Sequence, residues 1–338
     1  MRAALAGRRR PSTLRSLTVA AMLAGLAAVA SCAVSNPLTA VKEASQPAPA
    51  HVYAQSPGAA AAAGCGKTAH GRYVGISVPH TALIAPTEKA MGITANVVSL
   101  YYSIGQAVDM NTVESLCARH MLPILEFDSD AIPVSQITAG AADPYLKNLA
   151  QQIASMHEPV GVDFDHEFNG KWYHWGYRYI APAEFVAAWR HVVTIFRQNG
   201  ASNAIWVWNP NVTMEAPSTT GDLQPWYPGN AYVNWVGLDG YYFSAGQTYA
   251  NIFDHTIDQV RALTNDPIII METGASTVSG RARAITDLFS GAAQTRGLLG
   301  LIYFDYDKGT GHDWYINNDP PALAAFKSGA TGYLTGAG

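Results

Sequence analysis

Val162-Asp163-Phe164-Asp165-His166-Glu167-Phe168-Asn169-Gly170-Lys171-Trp172-Tyr173-His174-Trp175-Gly176 runs from an apolar strand into a loop crowded with rings. The start of the segment, taken back to Val160, reads as a strand, Val160–Glu167. Seven similar runs recur along the chain: Tyr73–Val78, Asn96–Tyr102, Leu122–Phe127, Ala204–Trp208, Trp235–Tyr241, Ile268–Glu272 and Gly300–Phe304. Most are nearly continuously apolar, as expected of strands buried on both faces of a parallel sheet.

Helical patterns separate these runs. The segment from Asn111 to His120 carries apolar residues at Val113, Leu116 and Cys117. Pro144 to Met156 follows Asp143, a cap candidate, and Pro182 to Gln198 opens on proline and stops at Asn199-Gly200. Ile252 to Leu263 and Gly280 to Phe289 complete the set. Alternation of strand and helix through eight strands predicts a single α/β domain, a (β/α)8 TIM barrel, over residues 65–338. A doubly wound sheet is the alternative, but no Gly-x-Gly-x-x-Gly or phosphate loop follows a strand.

The segments ahead of the barrel read differently. Residues 1–32 combine Arg2, Arg8, Arg9, Arg10 and Arg15 with an apolar stretch from Leu17 to Ala30, the pattern of a secretory signal peptide. Val29-Ala30-Ser31-Cys32 resembles a bacterial lipobox, which implies lipidation of Cys32 and a membrane tether. Residues 33–64, rich in Ala, Pro and Ser, read as a linker. The expected location is secreted or at the cell surface. In that setting Cys65 and Cys117 are expected to bridge. Removing residues 1–32 takes five arginines and no acid from 21 basic and 25 acidic residues, leaving a formal charge of −9. That disfavours nucleic acid and anionic polymers as partners, and the low total charge with 10% aromatic residues suits a neutral ligand that stacks on rings. Nothing demands more than a monomer.

A proton donor beside flat apolar rings suits sugar binding and glycosidic-bond cleavage. A second glutamate, Glu272, ends another strand candidate 105 positions after Glu167. In a barrel of this kind strand C-termini face the active site, so both acids belong to one rim. Two carboxyl groups on one rim are what a glycosidase requires. Zinc-protease chemistry is excluded, because Gly170 and Gly161 stand where His-Glu-x-x-His needs a second histidine after His166-Glu167 and His157-Glu158. Asp305, Asp307 and Asp313 lack EF-hand spacing and read as solvated loop acids. No metal or cofactor is expected.

Four stretches together resemble glycoside hydrolase family 26, best known for β-mannanases. They are His166 to Gly176; Trp206-Val207-Trp208-Asn209-Pro210-Asn211; Tyr227-Pro228-Gly229 with Val236 to Tyr241; and Ile268 to Gly274. The resemblance implies a retaining, endo-acting hydrolase of a β-linked polysaccharide. β-1,4-Mannan is the first expectation, with mixed-linkage β-glucan or β-1,3-xylan next and a non-catalytic carbohydrate-binding barrel as the other class. Glu167 would be the acid/base and Glu272 the nucleophile, about 5–5.5 Å apart. Tyr241 would donate to the nucleophile and His166 would contact the sugar. Trp172 would form an aromatic wall, and Trp175, Trp208 and Asn209 are expected to touch substrate. Trp206 and Trp235 read as packing residues. Trp226 and Tyr227 are open between a sugar platform and a loop anchor. Asp163 departs from the family pattern, in which arginine is common. Strand alternation would put Asp163, Asp165 and Glu167 on one face, and Asp163 is expected to find a hydrogen-bonding partner. The eighth strand candidate runs into Asp305-Tyr306-Asp307 rather than ending on tryptophan.

Overall fold

The glycines at 75 and 161 and the apolar residues that alternate with them let eight strands close on one another. In the computed structural model, β1 (Tyr73–Ser77), β2 (Val97–Ser103), β3 (Leu122–Asp128), β4 (Val160–Phe164), β5 (Ala204–Trp208), β6 (Trp235–Asp239), β7 (Ile268–Thr273) and β8 (Leu298–Phe304) form a closed, all-parallel barrel in sequence order. The structure describes residues 64–66, 68, 70–213, 218–309 and 313–336. The signal peptide, Cys32 and nearly all of the linker lie outside the described residues.

Helices follow the strands: α1 (Ile84–Met91), α2 (Met110–Ala118), α3 (Val134–Thr138), α4 (Asp143–Met156), α5 (Pro182–Gln198), α6 (His255–Leu263), α7 (Arg281–Gln294) and α8 (Pro320–Thr335). The expected alternation is broken once. Among the described residues, β5 and β6 are joined only by a 3-10 turn, Gln224–Trp226. A π-helical turn, Ala250–Asp254, leads into α6. The N-cap of α2 is Asp109, its carboxylate accepting from the Asn111 and Thr112 amides.

Strand alternation divides the core into two layers. Val97, Ile124, Ile205, Val207, Ile269 and Ile302 fill the barrel interior, with Trp235 packed against Tyr73. The opposite faces meet the helices. There Trp206 packs edge-on to Phe196, and Trp208 stacks on Phe168. Trp206 and Trp235 are therefore packing residues, as read from sequence. Trp226 is buried against Phe168 and Phe185, and the Tyr227 hydroxyl donates to Asn230, so this loop pair anchors rather than offers a sugar platform.

Cys65 and Cys117 are disulfide-bonded and tie the start of the domain to α2. The bond closes a chain separation of 52 residues. Replacing both cysteines by serine is expected to cost about 2–4 kcal/mol of stability. A denaturant titration reads this as a lower midpoint, and an unchanged midpoint would show that the bond does not constrain the unfolded chain.

Candidate active site

The rim above the C-terminal strand ends carries both glutamates. They line one cavity of about 610 Å³, a size suited to a small-molecule or oligosaccharide segment. Glu272 lies one residue before the end of β7. Glu167 lies beyond β4, which stops at Phe164 instead of reaching Glu167. Asp165 and Glu167 both have φ of 52°, a left-handed conformation that costs a non-glycine residue roughly 1–3 kcal/mol. The two left-handed residues end the strand and abolish the expected alternation. Asp163 stays inside the barrel and Asp165 accepts from the Ser129 amide at 2.7 Å. The Glu167 amide is held by the Asn209 carbonyl at 2.8 Å.

The aromatic loop that follows folds back on the acid. A Cβ on Gly170 would sit 2.4 Å from the Trp172 ring, and one on Gly176 2.2 Å from the Gly170 carbonyl, so both positions depend on the missing side chain. This brings the Trp172 indole N–H to Glu167 at 2.5 Å. The Asn211 amide donates to the other oxygen of Glu167. Asn211 is fixed by Asn169: their side chains and backbone exchange two hydrogen bonds of 2.8 Å. Burial raises the Glu167 carboxyl, and the neighbouring Glu272 charge raises it further. The His166 imidazole and the two donors oppose this without reversing it.

Glu272 accepts from two phenols, Tyr241 on one oxygen and Tyr101 on the other, the latter at 2.5 Å. Tyr241 was expected in this role and lies just past β6. Tyr101 was not identified from sequence, although the alternation Val97, Ser99, Tyr101 along β2 aims all three the same way. Removing the Tyr101 hydroxyl (Tyr101→Phe) takes one donor from a charged acceptor, a loss of about 10- to 100-fold in kcat. Steady-state kinetics checks it, and an unchanged kcat would remove Tyr101 from the site.

Several expected contacts are placed elsewhere. Trp208 and Asn209 are fully buried. Trp208 belongs to the outer phase of β5, with Trp206, and so meets the helix layer rather than the cleft. The Asn209 amide donates to both oxygens of Asp239, at 3.3 and 3.2 Å, beneath the rim. Trp175 is also buried: it stacks on Tyr173 at 4.4 Å and donates to the His166 carbonyl at 2.7 Å. These three residues support the site and do not line it. Asp305 is not a solvated acid either. It is buried and accepts from the Ile316 amide and Asn317. Asp313 pairs with Arg281 at 2.8 Å.

His166 sits below the glutamates. Its Nδ1 faces the Asp128 carboxylate at 3.0 Å. Burial alone would lower the imidazole, but Asp128 and the surrounding acids outweigh it and hold His166 well above its ordinary range. Two sets, Glu126–His166–Glu272 and His166–Glu167–Asp239, have side-chain atoms within 4.8 Å of one another. Distance alone would allow a cation there. Both sets include His166, whose imidazole the surrounding acids hold well above its ordinary range, so a cation there would compete with a proton for the ring nitrogen.

Asp163, expected to be hydrogen-bonded, has no donor within bonding geometry of either oxygen. Burial pushes its carboxyl up to about 8 against the opposing pull of the His166 imidazole, so the acid is protonated near neutrality. A folded-state pKa above the unfolded value near 3.9 means that the folded chain holds the extra proton between about pH 4 and 8. Stability is therefore expected to fall as pH rises through that window, by up to about 1.4 kcal/mol per unit for one group. Asp163→Asn imitates the protonated acid and should flatten the decline. Denaturation at pH 5 and pH 8 measures it, and an identical pH slope in the variant would contradict the assignment.

Comparison with known proteins adds to this geometry. A family model described as glycosyl hydrolase family 26 matches residues 135–322. Endoglucanase H of Acetivibrio thermocellus is 34% identical over 203 residues, 56% of this chain and 22% of that protein. A mannan endo-1,4-β-mannosidase of Bacillus subtilis is 29% identical over 139 residues, 38% of this chain and 34% of that protein. The matched stretches thus span only about a fifth and a third of these relatives. Among solved structures, the catalytic domain of an endo-β-1,4-mannanase from Bacillus sp. JAMB-750 aligns with a TM-score of 0.60 at 16% identity, covering 79% of this chain and 88% of that one. A domain from a Prevotella bryantii endo-β-mannanase/endo-β-glucanase aligns with a TM-score of 0.57 at 12% identity, covering 78% and 89%. At those identities the likeness establishes the barrel fold.

Proposed function

The chain belongs to glycosyl hydrolase family 26, and from that premise we propose that it hydrolyses a β-linked polysaccharide by double displacement, cutting within the polymer. The single observation that carries the reading is the pairing of two differently dressed glutamates in one cavity. Glu167 is raised by burial and held by an indole and an amide, and Glu272 is held by two phenols.

The chemistry follows from that dressing. Protonated Glu167 gives its proton to the glycosidic oxygen as the C–O bond breaks, while a Glu272 oxygen attacks the anomeric carbon and forms an ester. Esterification removes the Glu272 charge, one of the causes that raise Glu167. With that charge gone the Glu167 pKa falls, so the carboxylate left after proton donation stays ionised in the intermediate and acts as the base that takes a proton from the incoming water. The water oxygen then displaces Glu272, restoring both groups.

β-1,4-Mannan is the first substrate in this reading, in line with the mannosidase relative. Mixed-linkage β-glucan is the second, favoured by the longer and more similar match to an endoglucanase. Export, tethering through Cys32 and a monomeric state complete the proposal. A non-catalytic barrel would have no need for both glutamates with their donors. Product release from β-mannan, galactomannan, mixed-linkage β-glucan and β-1,3-xylan, beside Glu167→Ala and Glu272→Ala, tests it. Oligosaccharides from one polymer, absent with both variants, are expected. Binding without release from any polymer would favour the non-catalytic barrel.

A further inference from the structure

The cavity wall around Glu272 is unevenly furnished. The loop after β6 and the π-helical turn contribute Gln247 and Asn251, and the loop after β8 contributes Lys308. The Gln247 carbonyl oxygen already accepts from the Phe243 and Ser244 amides, at 2.6 and 2.8 Å. The Asn251 oxygen accepts from the Thr248 amide at 2.9 Å. Both oxygen lone pairs of Gln247 are taken, so that side chain offers a ligand only its NH2 donor, whereas Asn251 offers an NH2 donor and one remaining lone pair. Lys308 adds an ammonium, a donor without acceptor capacity.

Lys308 is the single basic residue among the described residues lining the cavity. Its Nζ stands 4.4 Å from the centre of the Phe304 ring and 5.7 Å from that of Tyr306, and those rings stack at 3.9 Å. That cation–π contact holds the ammonium at the ring face, where its N–H donors remain open to a carboxylate. Among the described residues no carboxylate pairs with it; the ion pairs there involve Arg119, Lys147, His166, His191 and Arg281. The loops that carry the three donors are joined through Trp314, which packs on Tyr241 and Phe243 at 4.6 and 5.2 Å. The donors therefore belong to one continuous wall.

We infer that Gln247, Asn251 and Lys308 form a subsite for one carboxylated sugar, so that a neutral β-linked backbone such as mannan or glucan is bound more tightly where it carries an occasional uronic-acid-type residue, while the net negative charge of the chain still disfavours a densely anionic polymer. A neutral sugar hydroxyl both donates and accepts, and a wall made mainly of donors uses it only in part. A carboxylate is acceptor-only and matches the wall. It would also enter a cavity that already holds two acids, and Lys308 supplies the charge that offsets their repulsion. The inference rests on the proposed function and adds the substrate class to it.

The test uses the full chain carrying Glu167→Gln, which keeps the cavity but cannot protonate the leaving group. Calorimetry compares β-1,4-manno- and β-1,4-gluco-oligosaccharides with counterparts oxidised to a carboxylate at C6. The expected result is about tenfold tighter binding of a carboxylated probe than of its neutral parent, the effect of one charge-assisted hydrogen bond. The ratio should fall to about one in Lys308→Met, and also in about 1 M salt, where the Debye length is about 3 Å. Equal affinities in the presence of Lys308, a preference unchanged by Lys308→Met, or no binding of any carboxylated probe would each overturn the subsite. Cleavage of a neutral polymer by the unsubstituted protein is scored separately. Its absence together with loss of binding would remove the hydrolase reading, whereas its presence would leave that reading standing without the subsite.

Discussion

Glu167→Ala is expected to reduce kcat on the natural polysaccharide by about 10²- to 10⁴-fold, the range spanned by general acid/base catalysis. The loss should depend on the leaving group. A sugar alkoxide needs the Glu167 proton as the bond breaks, whereas a nitrophenolate departs without it. With an aryl glycoside the first step in Glu167→Ala should therefore run close to the original rate. The second step then stalls because no base activates water, and a burst of phenol release precedes slow turnover. A small anion such as azide needs no deprotonation and should restore turnover. Equal losses on polymer and aryl glycoside would deny Glu167 the acid role. The donors to Glu167, Trp172 and Asn211, remain in the variant, so the cavity keeps its walls.

Glu272→Ala is expected to be the more damaging substitution, because in the proposed double displacement it removes the atom that forms the covalent intermediate. Here the leaving group should make no difference: polymer and aryl glycoside lose activity together, by at least about 10⁴-fold. Azide should react in the vacated space and give a glycosyl azide of inverted configuration, since only one displacement then occurs. A retained product, or a variant that still turns over polymer within about tenfold, would place the nucleophile elsewhere. The contrast between the two variants follows from their surroundings. Glu272 is held at both oxygens by Tyr101 and Tyr241, which orient it for attack. Glu167 is raised by burial, which favours the protonated form needed for donation.

Much of this arrangement was legible in the chain because it depends on continuous apolar runs. β5 occupies the predicted Ala204–Trp208, and the other seven strands differ from their predicted bounds by a few residues at most. Placing Glu167 and Glu272 on one rim followed from strand order alone. The misplaced residues share a cause. Trp208 and Asn209 were read as rim residues from their position at a strand end, but the phase of β5 decides which way they face. Ile205 and Val207 fill the barrel, so Trp208 must face outward with Trp206. That signal was present in the alternation. The same alternation along β2 pointed to Tyr101. The end of β4 was not legible, because nothing in Asp165-His166-Glu167 announces two left-handed residues. Trp175 was hidden by its loop: its burial depends on Tyr173 stacking over it, a contact set by the fold of the loop. Lys308 and the donors after β6 come from loops far apart in sequence, brought to one cavity by contacts such as those of Trp314 with Tyr241 and Phe243.

The double-displacement claim is tested most directly by the anomeric configuration of the first product. Proton NMR of a β-linked oligosaccharide, followed from the moment the protein is added, reports the new reducing end before mutarotation. Two inversions, at Glu272 and then at water, predict that the β-anomer appears first and the α-anomer grows in later. An α-anomer appearing first would mean a single displacement by water, and Glu272 would then be a base and not a nucleophile.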